Sequence, residues 1–62
     1  MPIVHIHMFE GRSVDQKREL VRTVTDAIVN SVATAPENVH IVIHDMAKHD
    51  YGDAGKLGCD AQ

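Results

Sequence analysis

The sequence predicts an α/β fold: a βαβ unit with parallel strands, completed by oligomerisation. Three observations carry this expectation. Residues 3–9 alternate as a strand does, an apolar helical period runs from Val14 to Val32, and residues 38–45 alternate again. Strand, helix and strand within about 45 residues make a βαβ unit. Its two strands run parallel and its crossover is right-handed.

The first strand is "IVHIHMF". Val4, Ile6 and Met8 point to one face; Ile3, His5, His7 and Phe9 point to the other. Pro2 stands directly before it. Proline gives a sheet no N–H, so it is tolerated at a strand's first position or on an edge. "EGRS" then breaks the strand, with Gly11 as the turn residue.

"SVDQ" reads as a capping box that opens the helix at Ser13, with Gln16 reaching back. Asp15 in the first turn suits the helix dipole. Val14, Val21, Val24, Ile28 and Val32 form the apolar stripe, flanked by Leu20 and Ala27. Asp15, Glu19, Arg22 and Asp26 form the opposite, solvated stripe, where Arg22 and Asp26 have i, i+4 spacing. Val29 falls near the polar side and reads as a stray exposed valine.

"ATAPEN" ends the helix, because Pro36 cannot continue it and Ala35 is biased to extended geometry. In the second strand Val39, Ile41 and Ile43 share one face, and His40, Val42 and His44 the other. "MAKHDYGDAGKLG" follows as an irregular loop or a short C-terminal hairpin, and "CDAQ" as a small polar tail. The helix stripe is expected to cover Val4, Ile6, Met8, Val39, Ile41 and Ile43. The other sheet face, with Ile3, Phe9, Val42 and four histidines, is left bare. Parallel sheets normally bury both faces. Further copies of the chain are the economical cover.

Size points the same way. A chain of 62 residues is one domain at most. It is marginal alone, and disulfides, a metal or oligomerisation usually make up the deficit. Cys59 is the single cysteine, so an internal disulfide is excluded. A lone thiol and no secretory signal fit a reducing cytoplasm. No apolar run approaches the roughly 20 residues that span a bilayer. A net charge of −3, with both signs mixed along the helix, argues against a nucleic-acid partner.

Five histidines are the one compositional excess. His5 and His7 share a face, as do His40 and His44. Histidine suits zinc. However, i, i+4 along a strand spans about 13 Å, too far for both ends to hold one ion. No cysteine or carboxylate spacing supports a metal site, and polar packing at a subunit interface is the plainer reading.

"MPI…IH…EGRS…QK", one helix, then "V.I.I" before "DMAK" and "YG..G", resembles the 4-oxalocrotonate tautomerase family. The resemblance runs without a gap from Pro2 to about Gly55, which makes residues 1–62 a single tautomerase-like domain. It implies a βαβ fold with a short C-terminal hairpin, and a homohexamer, usually a trimer of dimers. It implies an isomerase without metal or organic cofactor. The reaction is enol–keto tautomerisation of an unsaturated 2-hydroxy acid, as in the degradation of aromatic compounds. The initiator methionine is removed in the family, and the exposed proline amine is the base.

Residue by residue, Pro2 falls on the catalytic proline. Arg12 falls on the arginine of "EGR" that holds a substrate carboxylate and draws electron density. Tyr51 falls on an aromatic position, usually phenylalanine, that walls the site. His40 stands where the family has a second arginine reaching a neighbouring subunit's site. It lacks arginine's bidentate fork. A monocarboxylate 2-hydroxydienoate, or an enolpyruvate such as phenylenolpyruvate, is therefore the expected substrate rather than the dicarboxylate 2-hydroxymuconate. The tail after Gly55 also departs from the family pattern.

The chemistry suits these residues. Moving a proton from oxygen to carbon needs one group that accepts and then donates, with a pKa near the working pH. An α-amino group starts at about 7.7–8.0, and an apolar pocket lowers that. Ile3, Phe9 and Tyr51 could wall such a pocket. With Met1 attached, the Pro2 nitrogen is an amide and has no basicity. Arg12 precedes a helix N-terminus, a region that suits an anion. Lys48 and Lys56 read as solvated charges, and His49, Asp50 and Cys59 as bystanders. Two other readings stay open: a non-catalytic oligomeric homologue in which His40 marks lost function, and a histidine-lined metal-binding module.

Overall fold

The computed structural model describes residues 1–60; Ala61 and Gln62 of the polar tail lie outside the described residues. The chain runs through strand β1 (Ile3–Phe9), helix α1 (Val14–Val32) and strand β2 (His40–Met46), then a small hairpin of β3 (Gly52–Asp53) and β4 (Lys56–Leu57). β1 and β2 pair in parallel, from Ile3 opposite His40 to Phe9 opposite Met46. β3 and β4 pair antiparallel, which resolves the loop-or-hairpin alternative.

Backbone bonds extend the parallel pair beyond both ends. The His40 N–H donates to the Pro2 carbonyl at 3.0 Å, and the Glu10 N–H donates to the Met46 carbonyl at 2.9 Å. β2 begins later than the sequence expectation of residue 38. Pro36–Asn38 instead form one 3-10 turn, and the Val39 N–H donates back to the Pro36 carbonyl. Proline's fixed φ and absent donor suit a helical first position better than a ladder.

The capping box at Ser13 is present in full. The Ser13 hydroxyl accepts from the Gln16 N–H at 3.1 Å, and Gln16 Oε1 accepts from the Ser13 N–H at 2.9 Å. At the other end Ala33 takes the left-handed conformation, φ 55°, and stops the helix before Pro36 is reached. The described stripe differs at its edges from the periodic one. Leu20, Val21, Val24 and Ile28 are half-buried, as are Lys17 and Val29, while Val14, Ala27 and Val32 are exposed. Val14 and Val32 lie in the first and last positions of the helix, beyond the short sheet it covers. Val29, expected to be exposed, is drawn partly under cover.

Helix and sheet are also joined by charge. Asp45 lies on the Ile41–Ile43 face of β2, and its Oδ2 accepts from Lys17 Nζ at 2.6 Å. Arg22 bonds Asp26 on the solvated stripe, as their spacing predicts, and also bonds Glu19. No described residue is fully buried. The face opposite the helix is bare: Ile3 is 60% exposed and Val42 41%. Among the described residues, no helix is long and apolar enough to cross a membrane.

Candidate functional site

Pro2 stands one residue ahead of β1, half-buried, with its carbonyl held by the His40 N–H. That bond anchors the Pro2–Ile3 peptide to β2. Met1 projects into solvent, 80% exposed. His40 starts β2 at the same end, exposed, on the uncovered sheet face with Ile3 across from it. Pro2 and His40 are thus neighbours within one chain.

Arg12 and Tyr51 belong to the opposite end. β1 comprises seven residues, and a strand rises about 3.3 Å per residue, so its ends are about 20 Å apart. Gly11, with φ 119°, turns the chain off the strand toward the helix cap. Arg12 follows and lines a cleft of about 220 Å³ with Met8, Gln16, Lys17 and Leu20. The cleft is on the helix side of the sheet and at the helix N-terminus, where free N–H groups favour an anion.

Tyr51 lies on the other side of the sheet. Its ring meets Phe9 edge-to-face, with centroids 5.2 Å apart. Edge-to-face pairs set the positive ring edge against the negative ring face. The pair walls a cavity of about 410 Å³ that Lys48, Asp53, Lys56 and Leu57 also line. Ile3, expected to share a wall with Phe9 and Tyr51, is at the far end of β1 and does not join them within the chain. Lys48 and Lys56, read from sequence as solvated charges, border this cavity. The available signal was the pair of glycines at 52 and 55, which allows the hairpin that folds Lys56 back over Tyr51.

Of the four histidines on the bare sheet face, three form a row and His40 stands apart. His5 Nδ1 and His44 Nε2 are 3.1 Å apart, and the His7 ring stacks on His44 with centroids at 4.3 Å. His40 lies four residues from His44 at the Pro2 end. Among the described residues, no group of three histidine, cysteine or carboxylate side chains is arranged to hold a metal ion.

Comparison with known proteins identifies the chain's relatives. A family model described as "Tautomerase enzyme" matches residues 2–59. A probable tautomerase of Halalkalibacterium halodurans is 48% identical over 56 residues, covering 90% of this chain and 92% of that one. The crystal structure of YwhB, a homologue of 4-oxalocrotonate tautomerase, superposes with a TM-score of 0.94 at 38% identity, covering 98% of this chain and 100% of that one. A heterohexamer 4-oxalocrotonate tautomerase from Chloroflexus aurantiacus J-10-fl gives 0.91 at 26% identity, covering 100% of both chains. With a proline heading the first parallel strand, a single covering helix and a bare opposite face, the chain belongs to the 4-oxalocrotonate tautomerase family and is an isomerase-type tautomerase.

Proposed function

We propose that this chain is a cofactor-independent keto–enol tautomerase of 2-hydroxydienoate or enolpyruvate-type acids, with the Pro2 amine as base and acid. The observation that carries this reading is the arrangement at the head of β1. Pro2 is half-buried and tied through its carbonyl to His40, while Met1 stands free in solvent. Removal of Met1 leaves a secondary amine on a residue already anchored to the sheet through its carbonyl.

The proton balance is simple. The neutral Pro2 nitrogen takes the proton of the substrate's enol hydroxyl, and that O–H pair becomes the C=O π bond. The enol C=C π pair then takes the proton back from the same N–H⁺ at carbon, directly in an enolpyruvate; in a 2-hydroxydienoate that pair shifts to the central bond and the terminal π pair takes the proton. An α-amine with a pKa of about 7.7–8.0 in water needs only modest desolvation to serve at neutral pH. Arg12 binds the carboxylate, and its positive charge stabilises the enolate oxygen that forms on the adjacent carbon.

Distance makes assembly part of this proposal. Pro2 and Arg12 lie about 20 Å apart in one chain, so a site that uses both takes them from different copies. The bare sheet face and the lack of any fully buried residue among the described ones support a homo-oligomer, and a hexamer is the proposed form. The Chloroflexus aurantiacus relative is itself a heterohexamer. His40 then offers a weaker anion contact than arginine, which favours a monocarboxylate such as phenylenolpyruvate.

N-terminal mass followed by ultraviolet assay on phenylenolpyruvate and 2-hydroxymuconate tests the reading. Loss of Met1, turnover of the monocarboxylate and abolition by Pro2→Ala are expected. An intact Met1 in protein that lacks turnover would instead indicate a non-catalytic homologue.

A further inference from the structure

Arg12 keeps its charge free although carboxylates surround it. Among the described residues it is in no ion pair. Glu10 precedes it by two residues and Asp15 follows by three. Asp45 stands opposite Met8 in the strand register, and Met8 lines the Arg12 cleft.

Two of these carboxylates are held by other cations. Arg18 bonds Asp15 at 2.7 Å, and Lys17 bonds Asp45 at 2.6 Å. Glu10 is exposed to solvent, where a pair with Arg12 would gain little.

The two pairs differ in weight. The side chains of Arg18 and Asp15 are 73% and 89% exposed, so water screens both. Those of Lys17 and Asp45 are 28% and 41% exposed, and they join the helix to the sheet face beneath it. A carboxylate drawn partly out of water needs a cation. Lys17 supplies one from the helix, and it lines the same cleft as Arg12. Without it, Asp45 would face Arg12 across Met8. Asp45 carries the same chemical group as the substrate's anion, and arginine's planar fork fits either carboxylate. The two would compete for one guanidinium.

We propose that Lys17 is a positioning residue for Arg12: by holding Asp45 it keeps the Arg12 guanidinium unpaired and open to the substrate carboxylate. The proposal rests on the tautomerase reading above and deepens it. Lys17 touches no substrate in this account and acts only through Asp45.

The Lys17→Met variant tests it. Its KM for phenylenolpyruvate should rise about fivefold to tenfold, the scale of one charged hydrogen bond set against another. Its kcat should change little, because saturating substrate wins Arg12 back from Asp45. Adding Asp45→Asn to Lys17→Met should return KM to the wild-type value, and Lys17→Arg should never raise it. Circular dichroism and sedimentation confirm that each variant folds and assembles. An unchanged KM in folded Lys17→Met would overturn the proposal. So would a raised KM that Asp45→Asn leaves in place, since Lys17 would then act on the substrate itself. Nitrogen NMR of the Arg12 Nε–H reads the same competition with no substrate present. Its signal should shift and gain protection from exchange in Lys17→Met, and revert in the double variant. A signal that Lys17→Met leaves unmoved would overturn the role even if turnover fell. If wild-type protein lacks turnover while the signal moves as expected, the tautomerase reading fails and the control of Arg12 by Lys17 stands.

Discussion

His5 Nδ1 lies 3.1 Å from His44 Nε2, so two imidazoles on adjacent strands share one hydrogen bond. One ring must donate and the other accept. The His7 ring stacks on His44 at 4.3 Å and extends the row. The row lies on the face that the proposed assembly covers, so its hydrogen bond is a packing contact of that face. The His44→Leu variant leaves His5 Nδ1 without its partner and should shift the sedimentation profile at neutral pH toward smaller species. An unchanged profile would reject the role.

Glu19 gives the helix a pH dependence. A hydrogen bond from Arg22, reinforced by its charge, holds the Glu19 carboxyl below the ordinary glutamate value. The helix gains from this pair above that value and loses the gain as pH falls through it. A carboxyl-carbon NMR titration should place Glu19 lower in the wild type than in Arg22→Gln.

The helix start is worth more. Ser13→Ala removes the hydroxyl that accepts from Gln16 and leaves that N–H without its cap. A loss of about 1 kcal/mol is expected, or about 4–8 °C in Tm for a domain of this size. Both proteins must be compared at one concentration, because assembly makes Tm concentration-dependent.

Two glycines of the hairpin region should respond to very different degrees. A Cβ on Gly58 would meet the Lys48 carbonyl at 2.9 Å, whereas one on Gly52 meets the Lys56 carbonyl at 3.7 Å, an ordinary contact. Gly58→Ala should cost about 1–3 kcal/mol as an overpacked site, and Gly52→Ala much less. The chain has one tyrosine and no tryptophan, so near-ultraviolet circular dichroism reports the Tyr51 setting directly. Its signal should weaken in Gly58→Ala and persist in Gly52→Ala.

Much of this architecture is written in local pattern. The alternation of Ile3 to Phe9 and the Ser13–Gln16 box set β1 and the helix start with no help from distant residues. Where tertiary geometry decides, periodicity alone goes astray. Val14 and Val32 have the right spacing for the stripe, yet they overhang the ends of a short sheet and stay exposed. Pro36 moved the start of β2 because a 3-10 turn uses its φ. The site residues were visible as types, but their grouping was not. Spacing could not say that Pro2 joins His40 at one end while Arg12 and Tyr51 lie at the other, on opposite faces of the sheet.

That separation gives the sharpest prediction. If one site takes Pro2 from one copy and Arg12 from another, two inactive proteins should rescue each other. Pro2→Ala chains still offer Arg12, and Arg12→Ala chains still offer Pro2. Each homo-oligomer alone should be nearly inactive. Denatured together at equal amounts and refolded, random pairing in a symmetric assembly should restore about one quarter of wild-type sites. Phenylenolpyruvate turnover after mixing measures it, with sedimentation confirming mixed assemblies. If both residues served a site within one chain, no chain in the mixture would hold the pair and activity would stay at the level of the separate variants.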